Sequence, residues 1–266
     1  MKLVILGTGN AGVIECYNTC FALCEEGKTL LVDGGGGNQI LYRLKEAKID
    51  LHTITDVFVS HEHIDHLLGI IWIIRVLGQE INKNKYDGNL KIYCHEQLYE
   101  KIMKICELTL QQKVCNLFGD RIQFITVCDN ERKKILNHET VFFDIDSKKA
   151  KQFGFTMEYE KGKKLTFLGD EPYNEGNYDC VKNTQWLLHE AFCLDSEAEI
   201  FKPHAKMHGT VKDACITAQK LGVPNLILYH TEDTHLKDRE ELYRKEGELH
   251  YKGNLFVPKD LDEFQL

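Results

Sequence analysis

The chain is 266 residues long, 43% hydrophobic and 10% aromatic, with a formal charge of −8 at pH 7. The apolar content supports a sizeable buried core, and the acidic balance argues against a broad basic surface for nucleic acid. No stretch has the run of apolar residues a membrane span needs, and Met1–Leu6 leads into a glycine turn without a cleavage-type segment, so a cytoplasmic protein without a membrane partner is expected.

In chain order, apolar runs predict strands over 2–6, 19–24 and 28–33, the last ending in Asp33-Gly34-Gly35-Gly36-Gly37. Between the first two lies Gly7-Thr8-Gly9-Asn10-Ala11-Gly12, which has the glycine spacing of a dinucleotide-binding turn. That fingerprint needs a helix opening at the turn and an acid on a second strand roughly twenty residues on. Residues 13–19 are poorly amphipathic and 19–33 read as a hairpin, so the glycines are assigned to a tight turn near a metal or substrate. A nicotinamide enzyme is the weaker alternative.

A helix over 38–48 follows, then a strand at 55–59, a helix over 67–78, a strand at 90–94 and an amphipathic helix over 96–109. Strands are expected at 122–127, 140–145, 153–159 and 164–169, the last two joined by a tight turn at Glu160–Lys163. The remainder alternates: an apolar run at 185–188, a helix at 210–221, a strand at 225–229, a charged helix at 236–246 and a short strand at 254–257. No linker, charge block or repeat interrupts the chain, so one domain over 1–266 is expected, an α/β (α+β) fold of two sheets between helical layers. The ten cysteines contain no Cys-x-x-Cys pair and are read as reduced, structural thiols, Cys16, Cys20 and Cys24 included.

The densest chemistry lies in Ser60-His61-Glu62-His63-Ile64-Asp65-His66, after Val57-Phe58-Val59 and before an apolar helix. Residues two apart in extended chain point the same way, so His61 and His63 can grip one metal, while Asp65 and His66 face a neighbouring position. Imidazole and carboxylate at this density suit zinc or a similar divalent ion. Further ligands must come from later strand ends. Asp146, Asp170 and His230 each follow an apolar run and can be projected by a rim loop into a shared cleft.

With these residues in hand, the chain resembles the metallo-β-lactamase fold superfamily. The resemblance rests on His-x-His-x-Asp-His, the early Asp-Gly-Gly, the Gly169-Asp170 strand end and the late His230. His189-Glu190-Ala191 and His208-Gly209-Thr210 are similar to elements of the ribonuclease Z branch. The resemblance implies a four-layer αββα sandwich, with two mixed sheets flanked by helices. It also implies two divalent ions that clamp the attacking and leaving oxygens of a displacement. His61 and His63 would hold one ion, Asp65, His66 and His230 the other, and Asp170 would bridge. Asp65 would orient the attacking water, and His208, paired with Glu190, would protonate the leaving oxygen.

Two departures from that pattern stand out. The family usually has a histidine at the third-strand position of the first site, where this chain offers Asp146, with Asp144 as second choice. An oxygen there favours manganese, iron or magnesium beside zinc. His138 precedes its strand and is assigned to the wrong end. The long glycine- and proline-rich arm of transfer-RNA-maturing ribonuclease Z proteins is replaced by the short turn at 160–163. The expectation is therefore a metal-dependent phosphodiesterase acting on a small phosphodiester or RNA-like substrate, without extensive nucleic-acid binding. An ester, lactone or thioester hydrolase and a degenerate metal-binding non-enzyme are the alternatives, and a monomer and a homodimer both stay open.

Overall fold

A computed structural model describes residues 1–266. The strands are β1 (Lys2–Gly7), β2 (Cys20–Glu25), β3 (Lys28–Val32), β4 (Ile54–Phe58), β5 (Leu90–Cys94), β6 (Ile122–Thr126) and β7 (Arg132–Ile135). There follow β8 (His138–Asp144), β9 (Phe153–Glu160), β10 (Lys163–Phe167), β11 (Trp186–Glu190), β12 (Asn225–Tyr229), β13 (Asn254–Phe256) and β14 (Glu263–Gln265). They form two seven-stranded sheets, β14-β1-β2-β3-β4-β5-β6 and β13-β12-β11-β10-β9-β8-β7. Both sheets are mixed. Hairpins pair β1–β2–β3 and β7 through β10 antiparallel, while β3 through β6 and β10 through β13 run parallel.

The helices are α1 (Gln39–Glu46), α2 (Ile64–Asn82), α3 (Glu96–Thr109), α4 (Gln112–Cys115), α5 (Tyr178–Val181), α6 (Ala198–Phe201), α7 (Val211–Leu221) and α8 (Arg239–Gly247). Ile40 and Leu44 of α1, Leu67, Ile70 and Ile74 of α2 and Ile102 of α3 pack on the outer face of the first sheet. Ala214 and Ala218 of α7 and Tyr243 of α8 cover the second. Between the sheets lies an aromatic layer drawn from both, in which Phe58 meets Phe155 edge-on with centroids 5.4 Å apart. This is the αββα arrangement of two mixed sheets flanked by helices. No helix is long and apolar enough to cross a membrane.

Boundaries differ from the sequence reading in instructive places. The helix expected over 67–78 begins at Ile64 and runs to Asn82, because Ile81 continues its apolar face past Gly78. The sequence reading passes over β7 and β14. All ten cysteines are free thiols, and five of them are buried.

Candidate metal centre

The candidate ligand edge is built where β4 stops. Asp33, just past β3, adopts a left-handed backbone (φ 56) and is buried. Its carboxylate accepts the Ser60 N–H at 2.8 Å, the Ser60 hydroxyl at 2.7 Å and the His66 Nδ1–H at 2.8 Å. A histidine whose Nδ1 is spent on a carboxylate presents Nε2 as its metal-binding atom. Gly34 and Gly69 let this turn touch α2 closely: Gly34 N–H donates to His66 O and Gly69 N–H to Gly35 O, each at 2.8 Å. His63 is the extended N-cap residue of α2, so Asp65 and His66 ride in its first turn.

The other ligand candidates arrive from the second sheet. Asp170 follows β10 through Gly169, whose positive φ of 80 turns the chain inward. Gln152 holds Asp170 from both sides, donating from Nε2 to Oδ1 at 2.5 Å and accepting its backbone N–H at 2.6 Å. His230 follows β12 in a left-handed conformation (φ 58) that histidine tolerates better than most residues.

These side chains converge. Asp170 Oδ2 lies 3.5 Å from His61 Nε2 and 3.6 Å from Nε2 of both His66 and His230. Asp65 Oδ2 lies 3.4 Å from His66 Nε2 and 3.6 Å from His230 Nε2. His61 Nε2 and His63 Nδ1 are 2.9 Å apart. Donor sets His61/His66/Asp170, Asp65/His66/His230 and Asp170/His208/His230 each fall within 4.8 Å.

Nε2 of His66 and of His230 are buried with no hydrogen-bond partner, and both face carboxylate oxygens of Asp65 and Asp170. Imidazole nitrogens left bare beside ionised carboxylates fit divalent cations, which satisfy both at once. Burial would raise Asp65 and Asp170, but the surrounding histidines more than offset it and hold both well below the usual carboxylate range. Burial pushes His61 well down, so its imidazole is neutral and free to ligate.

A cleft of about 660 Å³ opens over His63, Asp65, Asp170 and His230, with Asn10 of the first glycine turn on its wall. His208 closes one side, stacked on Phe192 with centroids 5.1 Å apart. Its Nδ1 is 3.8 Å from Glu190 Oε2, too far for a hydrogen bond, while Glu190 Oε1 accepts the Gly209 N–H at 2.5 Å. Burial and the neighbouring His230 lower His208 to about 3. Burial raises Glu190 well above the carboxylate range.

The structure brings together His61, His63, Asp65, His66, Asp170, His208, Glu190 and His230, but not Asp146. Asp146 is exposed, adopts a left-handed turn (φ 58) and pairs with Lys148 at 2.7 Å, so its carboxylate is spent at the surface. Asp144 likewise pairs with Lys151 at 3.3 Å, and His138 pairs with Glu25 at the far end of β8. Asp33, Gln152 and Lys149 escaped the sequence reading as site residues. Only the Asp-Gly-Gly pattern hinted at the first of them.

Comparison with known proteins places this geometry. The family model described as anti-Pycsar protein Apyc1 matches residues 1–251. The chain belongs to the Apyc1 family. Among its relatives are the ribonuclease Z of Nitrosopumilus maritimus, 24% identical over 310 aligned residues with both chains fully covered, and that of Saccharolobus solfataricus, 24% identical with 92% and 95% covered. Solved structures of similar shape include the metallo-β-lactamase fold protein YhfI of Bacillus subtilis (TM-score 0.80, 17% identical, 99% and 98% covered). The short form of human tRNase Z is another (TM-score 0.74, 20% identical, 100% and 99% covered). This Apyc1-family chain thus carries the metallo-β-lactamase fold, in the ribonuclease Z-like branch of that superfamily.

Proposed function

We propose that the chain is a metal-dependent hydrolase that cleaves phosphodiester bonds with two divalent ions. One ion would be held by His61 and His63, the other by Asp65, His66 and His230, with Asp170 between them. The observation that carries this reading is Asp170 Oδ2, a single carboxylate oxygen within 3.6 Å of imidazole nitrogens from three different histidines. With Asp146 turned to the surface, imidazole dominates the donor set, which favours zinc over the harder, oxygen-loving ions.

Ions held there supply Lewis-acid stabilisation of the phosphoryl oxygens and lower the pKa of the attacking water. The chain's own residues do the rest. Asp65 orients that water from the first turn of α2, while Asp33 and Gln152 keep His66 and Asp170 from rotating away. His208 delivers a proton to the leaving oxygen, with Glu190 behind its other nitrogen. A bound phosphodiester's negative charge opposes the burial that lowers His208 and raises its proton affinity.

A small substrate suits the acidic chain and the two-residue connection Lys161-Gly162 between β9 and β10. For an Apyc1-family protein, this hydrolysis is the proposed means of the anti-Pycsar role that the family name records. Metal analysis of variants tests the site: purified protein should carry up to about two equivalents of transition metal. His63→Ala and Asp170→Asn should each lower that content, and full occupancy in Asp170→Asn would remove it from the bridging position.

A further inference from the structure

The loop between β8 and β9 withholds the expected ligand Asp146 from the cleft and presents a cation instead. Ile145 N–H donates to Gln152 O at 3.0 Å, closing the loop at its base. Ser147 Oγ donates to Glu171 Oε1 at 2.7 Å and accepts the Lys149 N–H at 3.2 Å, which fastens the loop to the residue beside Asp170. Lys149 lines the cleft with Asp170 and His230, and its Nζ reaches 3.3 Å from His208 Nε2. Neighbouring Lys148 and Lys151 pair with Asp146 and Asp144. Lys149 contacts an imidazole and forms no ion pair within 4 Å, although Glu171 and Glu190 feel its charge, so its ammonium stays available to a ligand in the cleft. Further out on the same wall, Lys206 Nζ sits 4.9 Å from the centroid of the Phe192 ring on which His208 stacks.

The Lys149 ammonium, 3.3 Å from His208 Nε2 on the wall shared with Asp170 and His230, is placed to meet an anionic oxygen that enters the cleft. The oxygen an ammonium so placed suits is a non-bridging phosphoryl oxygen, which accepts a charge-assisted hydrogen bond from it while His208 faces the leaving oxygen. We propose that Lys149 is the phosphate-recognising residue of the cleft, that Lys206 adds a weaker outer attraction, and that the pair selects anionic phosphodiesters over neutral esters. This deepens the proposed function and rests on it for the reaction, though the binding of phosphate can be read separately. The bland alternative is a solvated surface lysine that touches His208 incidentally.

The experiment titrates inorganic phosphate into the metal-loaded full-length protein by calorimetry, for wild type, Lys149→Met and Lys149→Arg. The same proteins are assayed on bis-p-nitrophenyl phosphate and on the neutral triester diethyl p-nitrophenyl phosphate. Lys149→Met should weaken phosphate binding about tenfold or more, the scale of one charge-assisted hydrogen bond. It should cut kcat/KM on the diester by a similar factor, spare the triester and keep the wild-type metal content. Lys149→Arg should recover most of the loss, and Lys206→Met should show a smaller one. Phosphate affinity within about twofold of wild type in Lys149→Met, or a fall in its metal content, overturns the proposal. A wild-type protein that binds phosphate but leaves the diester intact refutes the proposed function instead, and the phosphate titration still decides the role of Lys149.

Discussion

His208 carries the sharpest residue-scale prediction. Placed between Phe192, Glu190 and Lys149, it can give a proton only to an oxygen entering the cleft. His208→Ala should therefore slow diesters with poor alkoxide leaving groups by about a hundredfold, the usual span of general acid catalysis, and slow p-nitrophenolate esters far less. Equal losses on both substrates would remove the acid role. A loss of metal would make His208 a ligand, which its place in one donor set permits. Asp146→Ala, by contrast, should leave metal content unchanged and stability within about 0.5 kcal/mol, as at other exposed positions. Metal analysis checks this, and a missing equivalent would return Asp146 to the site.

The difference between these two residues also marks what the sequence makes legible. That His61, His63, Asp65 and His66 cluster is readable because their placement is local, fixed by one strand end and one helix turn. Asp146 sits at a strand end too. Whether such a residue faces inward depends on a left-handed turn and a lysine two positions on, and neither has a periodic signature. Lys149 and Gln152 are common polar residues in a loop, and only the fold brings them to Asp170 and His208.

At the scale of elements, the contact between the Asp33 turn and α2 is the joint that holds the proposed ligands in register. A Cβ on Gly69 would lie 1.7 Å from Gly34 O, an overlap that backbone on both sides must absorb. Gly69→Ala should cost about 3 kcal/mol or more, at the top of the overpacking range, and loosen His66. Gly37→Ala, where a Cβ meets nothing within 4 Å, is the control. Thermal melts decide: equal midpoints for the two variants would mean that the close approach is not what anchors the helix.

Strands such as β1, β4 and β12 are legible because burial on both faces gives each a continuous apolar run, Leu3–Leu6, Val57–Phe58 and Leu226–Tyr229. The two missed strands lie at sheet edges. The first, β7, reads Arg-Lys-Lys-Ile, and β14 spans three residues, so charge and brevity mask their pairing as is common at edges.

Across the whole molecule, the formal charge of −8 and the turn Lys161-Gly162 weigh against gripping a long nucleic acid. Neutralising many phosphates produces a steep fall of log affinity with log salt. Hydrolysis of a small diester should therefore exceed cleavage of precursor transfer RNA, with a salt slope corresponding to about one or two phosphate contacts. Efficient, steeply salt-sensitive cleavage of precursor transfer RNA would show that another surface does the gripping.

The most direct test strips the purified protein of metal with a chelator, removes the chelator, and follows bis-p-nitrophenyl phosphate hydrolysis as zinc is added back. The predicted result is negligible turnover in the stripped protein and recovery that saturates at about two equivalents of metal, as expected for a dinuclear site. Undiminished turnover in stripped protein, or no turnover in protein shown to hold both ions, would contradict the metal-dependent phosphodiesterase assigned to this site.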